Sequence, residues 1–495
     1  MKFGGLYFLI LAIAAIGLYA AARGEGIRGA PDHTKAVLPT EAKAALPGDR
    51  AGVSADTALL SEDRAKASAI QPEARTNIPT LPMQIRLRVF SLESISELSI
   101  ESASEYGSRA SDTAVPDMLR VWDDEGVCIY SVDHIRLTAR GNQLFLDGEE
   151  IAAPLSLYPA RDAPVTAQSG SQSRAKKRMS VSTRTAPIRF RAARASRVFT
   201  AHSIQIFAHG GELIVIAALP LEDYIAGVLA VEAGPYASLP RDQAAQYLAA
   251  QSVACRSYAI YYLQDGRRHR NKYFDYEYCD STHCQAWRDH AEAYPEIVLS
   301  AMRATRGMAL RDAAGVRYAP GFYSSTAAAS TVLPSEVWGG TELDIFFEPV
   351  TNRLPGEPEF LNKRSPFARW EWREKKETFR AFARNAFAAA WDGAPLRVEY
   401  SARGAARRIR FSANDRESIL GYRFRDEYCR ARGWGTLCSL HFSVRLEGDS
   451  IVFSGSGLGH GVGLCQYGAM ELARRSWTWE QILRFYYPRL RCAEQ

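Results

Sequence analysis

The chain lacks most of the short signatures that assign a chemistry at once. It has no P-loop, no zinc-finger pair and no aromatic RNA-binding signature, so nothing in it calls for a nucleotide or a nucleic acid. No H-E-x-x-H is present to support a zinc peptidase, and no G-x-S-x-G elbow accompanies the serines at 324 and 325. The glycines at 455, 457, 459, 461 and 463 alternate strictly, which fails the G-x-G-x-x-G spacing of a dinucleotide site. Cysteine is sparse: eight thiols (128, 255, 279, 284, 429, 438, 465 and 492) in 495 residues are too few to staple a chain of this size. Cys429 and Cys438, flanking a glycine-containing loop, are the pair expected to bridge. Charge of one sign is also scarce, with a net +6 that suits an anionic glycan as well as any other partner. No internal repeat is visible.

What the chain does have is 47% hydrophobic residues, enough for two domains, and one informative stretch, Leu219–Leu263. Leu221, Tyr224, Ile225, Val228, Leu229 and Val231 recur at helical spacing, and Gly234-Pro235 ends the run. Glu232 therefore stands at a helix end behind apolar residues. Partial desolvation there would raise its pKa and suit it to general-acid work; the alternative is a solvated glutamate. A second helix follows Pro240, with Ala245, Ala249, Ser252, Arg256 and Ala259 on one face. A guanidinium on so close-packed a face needs an anion, either a structural carboxylate or an acidic ligand.

Three further clusters carry polar chemistry. Cys279, His283 and Cys284 sit within six residues, as three metal ligands or as a disulfide beside a histidine. Tyr323, Ser324, Ser325 and Thr326 line up hydroxyls at a strand end. The alternating glycines suit a segment crowded by another backbone or by a ligand, with His460 either a structural hydrogen-bonder or a partner for a sugar hydroxyl or Glu232.

These pieces resemble, in order, the stage II sporulation protein D / LytB family: LPLEDYIAGVLAVE, AAQSVACRSYA, CDSTHCQAW, FYSST, VWGG, GSGLGHGVGLCQYGA and a terminal WEQILRFYYP. In this chain Tyr323 replaces a histidine, Ala327 and Ala328 replace glycines, and Cys465 replaces a serine. The resemblance implies a lytic transglycosylase acting on peptidoglycan glycan strands, with strands stripped of stem peptides as substrate. The alternative it implies is a LytB-like, non-catalytic activator of a cell-wall amidase. Carried over to this sequence, Glu232, Arg256 and Ser324 take catalytic roles. Tyr323, Ser325, His460, Gln466 and Tyr467 take substrate-binding roles, and Cys279, His283 and Cys284 hold a structural zinc.

Along the chain, residues 1–22 follow the plan of a signal peptide or, uncleaved, an N-terminal anchor, so the protein is expected to be exported to the periplasm or cell surface. Residues 23–82 read as a disordered tether and 83–160 as a small β-rich subdomain. Residues 161–185 read as a basic linker, and 186–492 as the catalytic domain of the resembled family. The expected fold class is α+β, with mixed strands and helices forming a cleft.

Overall fold

A computed structural model describes residues 84–494 except 103–118, 123–127, 133, 153, 160–179, 184–187, 193–194, 200, 202, 266–268, 270–274, 290–293 and 413–417. The leader, the tether and most of the basic linker thus lie outside the described residues. Among the described residues no helix is long and apolar enough to cross a membrane.

The fold is α+β. Its N-terminal part is built from two-residue periodicity: Ile85, Leu87 and Val89 are buried while Gln84 and Arg86 face outward. Gln84–Val89 lies in an eight-stranded sheet, antiparallel to Glu212–Pro220, which in turn pairs with Ser203–His209. A six-stranded sheet containing Glu97–Ser102, His134–Arg140 and Ile188–Ala192 contributes Leu98, Ile100, Leu137 and Phe190 to the same core. The sheet therefore crosses the boundary expected near residue 160. The stretch expected as a linker also supplies a strand, Ser180–Thr183, between Leu155–Pro159 and Leu119–Trp122. Local pattern could not reveal this, because the partner strands lie far away in sequence.

Eight helices follow among the described residues: α1 (Leu221–Glu232), α2 (Arg241–Asp265), α3 (Glu296–Ala304), α4 (Pro334–Val337), α5 (Lys376–Phe387), α6 (Gly421–Arg432), α7 (Gln466–Arg474) and α8 (Trp479–Tyr486). The α1 helix leaves directly from the strand Glu212–Pro220, and α2 is the buried axis against which α1, α3, α7 and α8 pack. The small residues of α2 permit that close packing: Ala249, Ser252 and Ala259 are buried. Residues 370–455 form a subdomain around a second, aromatic core of Phe379, Phe382, Phe411, Phe424, Tyr428 and Phe453. Its helix α6 has no counterpart in the sequence reading. The expected Cys429–Cys438 bridge is corrected here: both thiols are free, and the Cys429 thiol donates to the Leu437 carbonyl at 3.5 Å.

One glycine ties the fold to the site. A Cβ on Gly227 of α1 would lie 2.2 Å from Trp287 Nε1 and 2.8 Å from the Arg288 carbonyl. Gly227→Ala must displace the segment that carries Trp287, and overpacking of this kind costs about 1–3 kcal/mol. Urea denaturation of the variant should show that loss.

Candidate active site

Glu232 closes α1, and the last carbonyls of that helix are satisfied by distant side chains. Gln466 Nε2 donates to the Glu232 carbonyl at 2.6 Å, and the Tyr247 hydroxyl donates to the Ala233 carbonyl at 2.8 Å. The carboxylate itself is gripped from two sides. The Ala286 N–H donates to Oε1 at 2.5 Å, and the Tyr323 hydroxyl donates to Oε2. Behind Tyr323 the network continues: Gln285 Nε2 donates to its oxygen at 3.0 Å, and the Tyr224 hydroxyl donates to Gln285 Oε1 at 3.3 Å. Burial pushes the Glu232 pKa up to about 7, against the two hydrogen bonds, which favour the ionised form. The negative end of the α1 dipole acts in the same direction as burial. Burial also drives the Tyr323 pKa well above the ordinary phenol value, so its proton stays in place as a donor.

Arg256 is where the structure departs most from the sequence reading. Its side chain is fully buried and faces Glu222, not Glu232: Nε and Nη2 reach the two Glu222 oxygens at 2.7 and 2.8 Å, and Nη1 reaches the Met308 carbonyl at 3.1 Å. The anion it needs is thus in the first turn of α1, at the far end of the helix from Glu232. Arg256 clamps α1 to α2, and the fold does not bring it to Glu232.

The hydroxyl run is placed by the glycines. Tyr323–Ser324 pairs in parallel with Leu464–Cys465, and the Tyr487 hydroxyl donates to the Phe322 carbonyl at 2.7 Å. A Cβ on Gly459 (φ +101°) would meet Ser324 Cβ at 2.9 Å, and one on Gly463 (φ +70°) would meet the Phe322 carbonyl oxygen at 2.0 Å. The crowding backbone is therefore residues 322–326. Ser324 Oγ is buried and has no partner among the described residues. Ser325 Oγ lies 3.3 Å from Thr326 Oγ1, and the Ser325 carbonyl accepts from Tyr467 N–H at 3.1 Å. Ala327 and Ala328 have ordinary backbone conformations, so no glycine is required there. Cys465 does the work of a serine cap: its sulfur accepts from Gly468 N–H at 3.4 Å and Ala327 N–H at 3.2 Å.

His460 does not bond Glu232. Its Nδ1 accepts from Val462 N–H at 3.0 Å, and the ring packs against Trp338 and Phe322 at centroid distances of 5.1 and 6.0 Å. Burial pulls its pKa down to about 4, so the ring is neutral. Cys255 lies close to the site, but burial pushes its thiol up to about 12, which removes it as a nucleophile.

The segment that donates Ala286 N–H begins as a His/Cys cluster. Cys279, His283 and Cys284 are joined by His269, and the four donor atoms all lie within 4.8 Å of one another. The sulfurs are 3.5 Å apart, too far for a disulfide. His269 Nε2 lies 3.0 Å from Cys284 Sγ, and His283 Nδ1 lies 3.7 and 3.6 Å from the two sulfurs. Two thiolates and two imidazoles at such separations suit a tetrahedral metal ion. The sequence reading missed His269 because it sits inside a basic run, Arg267–Lys272; a histidine ten residues before Cys279 was the available signal.

Residues 209–311 match the family model described as Stage II sporulation protein, SpoIID. Over that segment the chain is similar to a SpoIID domain. That segment holds Glu232, Arg256, Gln285, Ala286 and the whole His/Cys cluster. An uncharacterized protein of Brachyspira hyodysenteriae is 23% identical over 286 residues, covering 58% of this chain and 70% of that one. An amidase enhancer of Bacillus subtilis is 40% identical over 50 residues, which is 10% of this chain and 7% of the enhancer.

The raised Glu232 pKa has a consequence for stability. The folded value near 7 exceeds the ordinary 4.5, so the folded state holds this proton more tightly than the unfolded chain. That stabilisation is complete below pH 4.5 and lost as pH rises through 7. Glu232→Gln should therefore be more stable than the wild type at pH 8, by about 1–3 kcal/mol, with the difference vanishing near pH 4. Denaturant titrations at the two pH values check this.

Proposed function

We propose that the protein is an exported, peptidoglycan-active lytic transglycosylase, with Glu232 as its single acid–base. One observation carries this reading: a carboxyl desolvated until its pKa sits near 7 and held by Ala286 N–H and Tyr323 O–H. Hydrolytic glycosidases use two carboxylates. One is sufficient when the sugar supplies its own nucleophile. Protonated Glu232 gives its proton to the bridging oxygen after N-acetylmuramic acid, and the C1–O bond breaks. The C6 hydroxyl of the same sugar then bonds to C1, and its proton passes to the Glu232 carboxylate. The strand ends in a 1,6-anhydro ring, no water is consumed, and the enzyme regains its starting protonation. The Tyr323 and Ala286 donors stabilise the carboxylate between the two transfers. Ser324 Oγ, buried without a partner among the described residues, suits the N-acetyl group of the sugar. Residues 1–22 would direct the chain to the periplasm or cell surface, where its substrate lies.

His269, Cys279, His283 and Cys284 fit a structural zinc, and an ion there would lock the segment that presents Gln285 and Ala286 to Glu232. The match to an amidase enhancer favours a second reading, in which the chain binds and stimulates a cell-wall amidase without cleaving glycan.

Mass spectrometry of stripped glycan strands after incubation should show 1,6-anhydro ends. Glu232→Gln should still bind strands while losing roughly two to four orders of magnitude in rate. Unaltered product formation by that variant would remove Glu232 as the catalyst. A wild type that cleaves nothing yet stimulates an amidase would establish the second reading. For the metal, elemental analysis should find about one zinc per chain, and His269→Ala should lose it as completely as His283→Ala. Retention of zinc by His269→Ala would remove it from the ligand set.

A further inference from the structure

One contact of the subdomain of residues 370–455 with the glycine run is a strip of backbone. Gly459 N–H donates to the Cys438 carbonyl at 2.9 Å, and Ser439 pairs in parallel with Gly459. On one side of this strip, Gly459 presses on Ser324. On the other, His441 Cε1 lies 3.9 Å from where a Gly461 Cβ would be. Ser324 Oγ and His441 Nε2 are both buried without a partner among the described residues, so two polar atoms flank the glycine run with unmet hydrogen-bonding capacity. Beyond Cys438 stands Trp434, 41% exposed, on a loop that is internally tied. Gly433 N–H donates to the Cys429 carbonyl at 2.7 Å, and Thr436 Oγ1 donates to the Gly433 carbonyl at 2.7 Å. Beneath the indole lies the Arg425 guanidinium, 5.5 Å from the ring centroid. Arg425 is itself fixed by the carbonyls of Leu437 and Cys438 at 2.9 and 3.1 Å, with Asp426 3.7 Å away.

We propose that Trp434, backed by Arg425, is an outlying glycan subsite that holds sugar rings of a long peptidoglycan strand remote from the cleaved bond. This rests on the reading of Glu232 as a glycan-cleaving acid. An indole face suits the apolar face of a pyranose ring, and a pre-ordered loop loses little entropy when a ligand binds. The guanidinium behind it draws anionic sugars: residues 370–455 hold 16 Lys and Arg against 11 Asp and Glu, so five of the six net positive charges of the chain lie in this subdomain. The Cys438–Gly459 link makes the platform continuous with the run that carries His460 and abuts Ser324.

Trp434→Ala tests this in the full-length, non-cleaving Glu232→Gln protein, with binding measured to peptide-free strands of at least eight disaccharides and to a tetrasaccharide. The substitution should weaken long-strand binding roughly tenfold and leave the tetrasaccharide unchanged, and Trp434→Phe should restore most of the loss. Equal long-strand affinity with and without Trp434 overturns the subsite and leaves the Glu232 reading intact. Equal loss for both ligands also overturns it, because the residue would then act at the cleavage site. Failure of the Trp434-containing protein to bind any strand removes both this subsite and the glycan-cleaving reading. Circular dichroism of each variant confirms that the aromatic core of the subdomain is retained.

Discussion

A carboxyl group withdrawn from water and held by two donors is the constraint around which the site is arranged. Desolvation alone would keep Glu232 protonated through neutral pH, and two strong donors alone would keep it ionised. Opposed, they set its pKa near 7, where either state is within reach. The balance requires Tyr323 to remain a donor, and burial ensures this by holding its own proton in place. It also requires Gln285 to stay oriented, which Tyr224 of the same helix as Glu232 enforces from behind.

The two donors reach Glu232 from opposite parts of the chain. Ala286 follows the His/Cys cluster, and that cluster is fastened to the N-terminal strand. Tyr278–Cys279 pairs with Leu87 and Arg88, while Asp280 accepts the N–H groups of Phe90 and Ser91 at 3.0 Å each. Tyr323 is carried by the segment the glycine run embraces, and Tyr487 secures it at the Phe322 carbonyl. The helix bearing Glu232 is held against α2 by the Arg256–Glu222 pair, which is valuable for placing α1 because a buried guanidinium without its carboxylate would be costly. N-terminal sheet, His/Cys loop, buried helix and C-terminal helix thus converge on one side chain.

The subdomain of residues 370–455 stands apart from this arrangement in its core but not in its connections. Its aromatic cluster forms a separate core, whereas it joins the glycine run through the Cys438–Gly459 backbone bond and the bond from Trp370 Nε1 to the Gly457 carbonyl.

Periodicity and local chemistry determined much of this protein by themselves. The apolar spacing of 221–231 and the Gly234-Pro235 break placed Glu232 at a helix end, because both signals act within one or two turns. Alternating glycines announced a crowded backbone, and the close pair Cys279 and Cys284 with His283 announced a metal or a disulfide. Tertiary structure decided what each signal was for. Arg256 needed an anion, but only folding chose Glu222 over Glu232, since both acids lie on the same helix and their facing depends on how α1 rotates against α2. His269 joined the cluster only through folding, since ten residues separate it from Cys279. The N–H of Ala286 is invisible in any sequence, because every residue but proline has one and only position gives it a role. Side-chain type and short-range spacing are written in the chain; which groups meet across long separations is settled by packing, and the proton affinity of Glu232 depends on that meeting.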